Sequence, residues 1–591
     1  MARQLTALVS LVLLLFCYKT EAAPGLEVPD WAKDAIWYQI FPERFRNGDF
    51  NNDPRAADID SPALTHWKIK DWGSDWYELD SWERRLGGFY NAFSARRYGG
   101  DLQGVIEKLD YLKELGINAI YLNPVFRSPS LHKYDWSSLH HVDETLGPDP
   151  VGDRELLRIA GETENPSTWV WTSADRLLLK LIEEAHKRGI RVILDGVFNH
   201  SGRGFFAFQD LLANRSHSRF ADWYQITRWD DSLPDGFDYQ AWFGIPSLPQ
   251  FRRDDRTLNS NYKKYVFDIT HRWLSPNGDT QAGIDGWRLD VAYCLPHGFW
   301  QEWRKWVKSL KPDAYITGEV VEIAPTYLQG NEFDALMNYP FAYAVTEFFV
   351  DRRNRISTTE FVNRLESLRK AYPAEITSVM QNLMSSHDTP RLASIIRNPD
   401  LNYRNFGDFF QKSQVQNNSA YRIDRGREAE RNIHKMVALF QMTYVGAPMI
   451  YYGDEVRMAG ANDPDSRKPM LWTDLNYQDE IAHPLSGKTR PREQNTPDSN
   501  LLRYYQSVII LRNRHPALRR GEFKVLIADN DSGLLAFSRT SPGDDLIVVF
   551  NNSDQEQTAE LRSKGGLKKR FAVQARSGCV IGSELPQLEC H

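Results

Sequence analysis

The chain has 591 residues, too many for one ordinary domain, so a barrel with appendages or two to three domains is expected. Its hydrophobic fraction of 41% and charged fraction of 25% are ordinary for a globular protein. A net charge of −6 with no sustained basic run leaves a nucleic-acid partner without an electrostatic footprint. In chain order, Arg3 precedes an apolar run from Leu5 to Tyr18 and then Thr20-Glu21-Ala22-Ala23. That layout predicts a secretory signal peptide over residues 1–23, and so a secreted or periplasmic protein. The run is shorter than the ~20 residues a membrane span needs, and no later segment resembles one.

The first strand is expected at Ala35–Phe41, a helix at Leu102–Leu115 and the second strand at Asn118–Leu122. Residues Val142–Thr172 are rich in Gly, Pro, Asp and Glu and read as a loop-like insert. A helix over Ala174–Arg188 leads into the third strand, RVILDGV. An aromatic excursion, about 201–259, follows it. The fourth to eighth strands are IDGWRLD, AYITGE, Phe333–Tyr339, SVMQNLM and Pro448–Gly453. Helices are predicted between most of them, at Phe299–Leu310, Thr358–Ala371 and Glu428–Thr443. Eight β-then-α units are the count for a (β/α)8 barrel, an α/β fold. Short alternating runs from about residue 517 (FKVLIA, LLAFSRT, DLIVVFNN, FAVQA) predict an all-β C-terminal domain over 517–591, leaving 24–516 to the barrel. The first strand follows almost directly on the signal peptide, so no N-terminal accessory domain is expected. Of the four cysteines, Cys579 and Cys590 could form a bridge, and Cys294 reads as a small hydrophobe rather than a nucleophile.

Four blocks carry the chemistry: DGVFNH (Asp195–His200), GWRLDVA (Gly286–Ala292), GEV (Gly318–Val320) and SSHDTPR (Ser385–Arg391). Each follows an apolar, β-branched run, as a buried parallel strand would, with polar residues at its carboxyl end. Asp290, Glu319, Asp388, Arg288, His200 and His387 should therefore converge on one mouth. Cleaving a glycosidic bond takes one carboxylic acid to protonate the leaving oxygen and a carboxylate across the anomeric carbon. Asp290, next to Arg288, reads as the ionised nucleophile. Glu319, between an apolar strand and Val320-Val321, reads as the acid. For any one acid alone, an ordinary ion-pair role would be the usual reading. The shared strand-end placement overturns it. The aromatic content of 13%, with 18 Trp and 26 Tyr, suits a large core and also stacking on sugar faces.

A second cluster lies early, Asn47-Gly48-Asp49-Phe50-Asn51-Asn52-Asp53 with Gly99-Gly100-Asp101. Such dense oxygen ligands suit a hard cation, yet Asn, Asp and Gly also dominate plain turns, and the residues alone favour the turn.

The four blocks in this order resemble the signature regions of the alpha-amylase family, glycoside hydrolase family 13. HKYD (His132–Asp135), FDALMNYPF, GAPMIYYGDE and NDPDSRKPMLW most resemble its cyclomaltodextrinase, neopullulanase and maltogenic amylase branch. The resemblance implies an α-1,4-glucan hydrolase acting on malto-oligosaccharides, starch, cyclodextrin or pullulan. It implies Asp290 as nucleophile, Glu319 as acid/base and Asp388 as the third carboxylate. His200 and His387 would bind sugar hydroxyls, Tyr134 would stack on the ring, and Asp463 and Arg467 would lie toward the glycone side. It also reverses the turn reading, making Asn47, Asp49, Asn52, Asp53, the Gly99 carbonyl and Asp101 ligands of Ca2+. Two departures stand out: Tyr293 and Cys294 where many relatives carry Lys-His, and Val321 where the branch carries an aromatic. A monomer is expected. A transglycosylase, or a glycan-binding protein without catalysis, are the alternatives. Retention of all three acids argues against the last.

Overall fold

The computed structural model describes residues 27–59, 66–562, 568–582 and 589–590, so the expected signal peptide (1–23) lies outside the described residues. Its main sheet contains β1 (Trp37–Ile40), β2 (Ala119–Leu122) and β3 (Arg191–Gly196). After β3 comes a separate antiparallel pair, β4 (Ile226–Trp229) and β5 (Phe237–Tyr239), inside the aromatic excursion. The main sheet resumes with β6 (Gly286–Leu289), β7 (Tyr315–Gly318), β8 (Ala335–Leu336), β9 (Gln381–Leu383) and β10 (Ala447–Tyr451). The order is β8-β7-β6-β3-β2-β1-β10-β9, with every pairing parallel. A parallel bridge between Met337 and Gln381 joins the two edges, closing an eight-stranded barrel.

These strands lack polar alternation because both faces are covered: every residue of β1, β2, β6 and β7 is buried. Close strand contact also explains a glycine. A Cβ at Gly286 would lie 1.9 Å from the Tyr315 carbonyl oxygen, so β6 and β7 could not approach with any larger residue there.

Three expectations change. The sixth strand pairs only over Ala335–Leu336, because Asn338 turns its amide onto Asn382 at 2.7 Å and a helix opens at Tyr339-Pro340. The helix expected over Leu102–Leu115 breaks at Lys108 into Leu102–Glu107 and Leu109–Leu115. The insert read as a loop contains an eleven-residue helix, Pro150–Ala160. Asp149 caps it by accepting from the Gly152 amide, Pro150 sits at its first position, and Gly161 ends it in a left-handed conformation.

The C-terminal strands are β11 (Glu522–Ala528), β12 (Leu534–Ser541), β13 (Asp544–Asn551), β14 (Gln557–Arg562), β15 (Lys568–Val573), β16 (Ser577–Gly582) and β17 (Glu589–Cys590). They form a sheet β11-β12-β13-β16-β17 and a separate β14-β15 pair. Along β13, Ile547 and Val549 enter the small core shared with Ala559, Leu561, Phe571 and Val573. Val548 and Phe550 point the other way, into the main core. The pleat thus fixes this domain onto the barrel as well as to itself. Cys579 is disulfide-bonded and stands opposite Cys590 in the β16–β17 register. Among the described residues no helix is long and apolar enough to cross a membrane.

Candidate active site

The carboxyl ends of the barrel strands bring the expected residues into one chain of contacts. Arg288, the third residue of β6, is fully buried and serves three carboxylates. Its Nη1 lies 2.8 Å from Asp195 Oδ1 and 3.0 Å from Asp290 Oδ1, and its Nη2 lies 2.9 Å from Glu319 Oε2. Asp195, at the end of β3, is held in turn by the hydroxyls of Tyr121 and Tyr134 at 2.6 and 3.0 Å. The Tyr134 hydroxyl also meets His387 Nε2 at 2.6 Å, and the two rings lie parallel with centroids 5.5 Å apart. His387 Nε2 is 2.9 Å from Asp388, and its Nδ1 is 2.8 Å from the Gln39 amide of β1. Arg467 donates to the His387 carbonyl and to Asp388 Oδ1, both at 3.0 Å, and pairs with Asp463 at 3.1 Å.

His200 is buried, with the Asn199 amide 3.0 Å from Nδ1 and the Trp242 indole stacked at 5.5 Å. Its Nε2 has no hydrogen-bond partner, though the Tyr134 carbonyl lies near enough to act on the ring. Burial pulls its pKa down to about 4, so at neutral pH it is an uncharged imidazole with a donor to spare. A sugar hydroxyl suits such a donor.

The electrostatics separate the acids. Burial pushes Glu319 above the usual carboxylate range against the pull of Arg288, and the charge of Asp388 adds to the rise. Burial would also raise Asp388, but His387 and Arg467 hold it well below its ordinary value. Asp290 departs from expectation. Arg288 does touch it, yet burial, with Glu319 and Asp195 nearby, carries its pKa well above the ordinary value. One guanidinium is shared among three carboxylates, so its pull on each is divided.

The backbone between these two acids is unusual. Val291, directly after Asp290, is in the left-handed region (φ 39°, ψ 46°) although it is β-branched. Such a conformation costs ~1–3 kcal/mol and persists only where the surroundings enforce it. Here it directs the Val291 amide to Glu319 Oε2 at 2.9 Å, fixing one oxygen of the acid.

The early oxygen cluster also assembles. Asp101 Oδ2 accepts from the Asp49 amide at 2.9 Å and from Asn52 Nδ2 at 3.1 Å, and Asn47 Nδ2 donates to Asp53 Oδ1 at 2.7 Å. With the amide nitrogens so used, Asn47 Oδ1 and Asn52 Oδ1 are buried without a partner. Burial raises both Asp53 and Asp101 to about 6. Gly99 closes the cradle: a Cβ there would lie 2.2 Å from Asp53 Oδ1 and 2.7 Å from Asn47 Nδ2. Orphaned oxygens beside two strained carboxylates are what a hard cation would satisfy, so the donor set fits calcium. Asp49 is the exception, since its Oδ1 takes the amides of Asn51 at 2.9 Å and its backbone rather than its side chain faces Asp101.

Sequence reasoning singled out no role for Asp195, Tyr121, Gln39, Trp242 or Tyr293. Asp195 was readable, being an acid at a strand end within the first block. The others are legible only in three dimensions. Tyr293 is 44% exposed and lies near Asp290 and Glu319, and Phe243 beside Trp242 is 77% exposed. Tyr293 thus adds an exposed ring near the acids that the sequence, judged by Val321 alone, did not suggest. Cys294 is a free, half-buried thiol whose pKa burial raises, so it is not an activated nucleophile.

Comparison with known proteins gives concordant results. The family "Alpha amylase, catalytic domain" matches residues 39–155, 174–408 and 407–521, and "Maltogenic Amylase, C-terminal domain" matches 523–581. A cyclomaltodextrinase of Geobacillus thermopakistaniensis is 34% identical over 562 residues, covering 94% of this chain and 76% of the relative. Neopullulanase 2 of Thermoactinomyces vulgaris is 36% identical over 535 residues, covering 90% and 72%. Among solved structures, the cyclic α-maltosyl-(1→6)-maltose hydrolase of Arthrobacter globiformis superposes with a TM-score of 0.69 at 27% identity, covering 94% of this chain and 99% of that one.

Proposed function

The chain belongs to the alpha-amylase family of glycoside hydrolases, and from that premise we propose that it is a retaining hydrolase of α-1,4-glucosidic bonds in malto-oligosaccharides, cyclodextrins, pullulan or starch. The observation that carries this reading is Arg288 spanning Asp290 and Glu319 at 3.0 and 2.9 Å, which sets two acids of different hydrogen bonding on one guanidinium. Asp290 attacks the anomeric carbon and forms a glycosyl ester. Glu319, whose pKa burial raises, gives its proton to the departing glycosidic oxygen. It then takes a proton from the water that cleaves the ester. Asp388, held ionised, binds sugar hydroxyls and supports the positive charge that develops on the ring. Tyr134, placed parallel to His387, offers its face to the reacting sugar, while Asp463 and Arg467 hold the sugar beyond it.

Calcium at Asn47, Asn52, Asp53, Gly99 and Asp101 would tie the segment after β1 to the start of the Leu102–Glu107 helix; the two orphaned amide oxygens support this. Its role is to hold the fold, away from the chemistry. Export follows from residues 1–23, and N-terminal sequencing of the mature protein tests it. A monomer is also part of the proposal, with solution mass as the test: the aromatic excursion, whose Trp242 stacks on His200, walls the cleft within one chain. Product profiles on amylose, β-cyclodextrin and pullulan test the substrate class. No reducing-sugar release from any of the three would leave a glycan-binding role, and products longer than the substrate would favour transglycosylation.

A further inference from the structure

Outside the cleft, three side chains converge with the chemistry of a metal site. His140 Nε2, His141 Nε2 and Glu162 Oε2 lie within 4.8 Å of one another, the Glu162 oxygen being 3.4 Å from the first and 2.8 Å from the second. Both histidines are buried and Glu162 is 13% exposed, so the group is open on one side only. What sets it apart from a chance cluster is how each residue's other atom is held. His140 Nδ1 meets the Tyr265 hydroxyl at 2.8 Å, and its ring is stacked on Trp169 at 4.4 Å. His141 Nδ1 meets Asp175 Oδ2 at 2.8 Å, the carboxylate–imidazole arrangement that orients metal-binding histidines. Glu162 Oε1 takes the Val170 amide at 2.7 Å. Three donor atoms thus face one point, and the atoms behind them are fixed.

We propose that His140, His141 and Glu162 bind a divalent transition-metal ion, zinc by preference, with water as the fourth ligand, and that this ion pins the Val142–Thr172 insert to the barrel. Two imidazoles and one carboxylate form a donor set that zinc takes tetrahedrally. Bond lengths of about 2.0–2.1 Å place tetrahedral ligand atoms about 3.3 Å apart, so the His140–Glu162 spacing already fits. The His141–Glu162 pair must open by about half an ångström. On loading, a proton leaves His141 Nε2 for solvent, His140 takes the tautomer protonated at Nδ1 and donates to the Tyr265 hydroxyl, and no electron is transferred. Glu162 lies just after the insert helix, and Asp175 belongs to the helix Ser173–Lys187 that packs beneath it. One ion would therefore couple the insert to the segment before it and to the helix after it. The competing account is a protonated His141 shared by Glu162 and Asp175, with Arg272 3.0 Å from Asp175 completing a neutral cluster. It explains the His141 contacts, and it leaves His140 Nε2 on a long 3.4 Å hydrogen bond to the same oxygen, a spacing that a metal between them would suit better.

The test uses the full-length protein with calcium held constant. Elemental analysis should find about one equivalent of zinc or a neighbouring metal. A zinc-selective chelator should lower Tm, and zinc but not calcium should restore it. Glu162→Gln and His140→Gln should remove the bound metal while far-UV circular dichroism stays unchanged. The proposal is overturned if stripped protein binds under a tenth of an equivalent at micromolar zinc with no change in Tm. It is equally overturned if both variants bind zinc as the parent does.

Discussion

Two of this protein's carboxylate clusters are neutralised in different ways. At the cleft, Asp195, Asp290 and Glu319 surround Arg288, a cation supplied by the chain itself. In the loop after β1, Asp53 and Asp101 are raised by burial, and among the described residues no side-chain cation lies among the hydrogen bonds of their cluster. The contrast teaches which part of the molecule depends on solution conditions. The catalytic cluster is complete as folded, because a built-in charge must sit within 3.0 Å of reacting groups at every turnover. Under the proposed calcium reading, the loop cluster would leave its charge balance to an ion, exchangeable without altering the chemistry.

The strongest way to break this comparison is at the nucleophile. Asp290→Asn should lower kcat on maltotriose by about ten-thousand-fold while the circular dichroism spectrum is unchanged, since the lost interaction belongs to the transition state. Glu319→Gln should be nearly as severe on ordinary glucans, yet should recover activity on substrates whose leaving group needs no proton. Removing the shared cation comes next. Arg288→Met leaves Asp195, Asp290 and Glu319 buried without their shared cation and should cost about 3–5 kcal/mol of stability as well as activity, read by chemical denaturation. If that variant is as stable as the parent, the cleft does not depend on its own cation.

The loop cluster should respond to chelation instead. With free calcium about 100 times Kd, binding would contribute about 2.7 kcal/mol, so Tm should fall in excess chelator and return with calcium. Asp53→Ala should make Tm insensitive to calcium while kcat stays within a few-fold of the parent. Tm unchanged in chelator, with no calcium by elemental analysis, would return this cluster to a plain polar turn.

The pH dependence has a definite sign. Glu319 has a folded pKa raised above its ordinary 4.5, so kcat/KM should fall as pH rises through that raised value and the acid form is lost. The same group favours folding when protonated; its contribution is present below the unfolded value and is lost as pH rises through the folded one. The descending limb should be absent in Glu319→Gln assayed on an activated substrate. The smallest effect belongs to the exposed aromatics. Tyr293→Ala and Phe243→Ala should raise KM for long substrates several-fold with kcat little changed, as expected for exposed rings that stack on sugars without touching the reacting bond.

Much of this was legible in the sequence, and the reasons are particular. The strands read correctly because a barrel buries both of their faces, which makes RVILDG or AIYL continuous apolar runs bounded by polar blocks. The convergence of the polar residues was legible because those blocks fall where strands end. What failed was local or three-dimensional. The helix Pro150–Ala160 was hidden by its polar composition, although Asp149-Pro150 and Gly161 announce its two ends. The short β8 was overextended because Phe333–Tyr339 is apolar throughout, while only two of its residues find a ladder. The raised pKa of Asp290 was not legible because sequence adjacency shows Arg288 but not the two other acids that share it. Trp242 and Phe243 reach the cleft only because the excursion after β3 folds back over it, with Trp242 stacked on His200.

The account turns on a double displacement by Asp290 and Glu319, and the anomeric form of the first product tests it most directly. Proton NMR within the first minutes of maltohexaose hydrolysis, before mutarotation, should show the new reducing end as the α-anomer. A β-anomer appearing first would contradict the assignment of Asp290 as nucleophile and require a water-mediated, inverting reaction at this site.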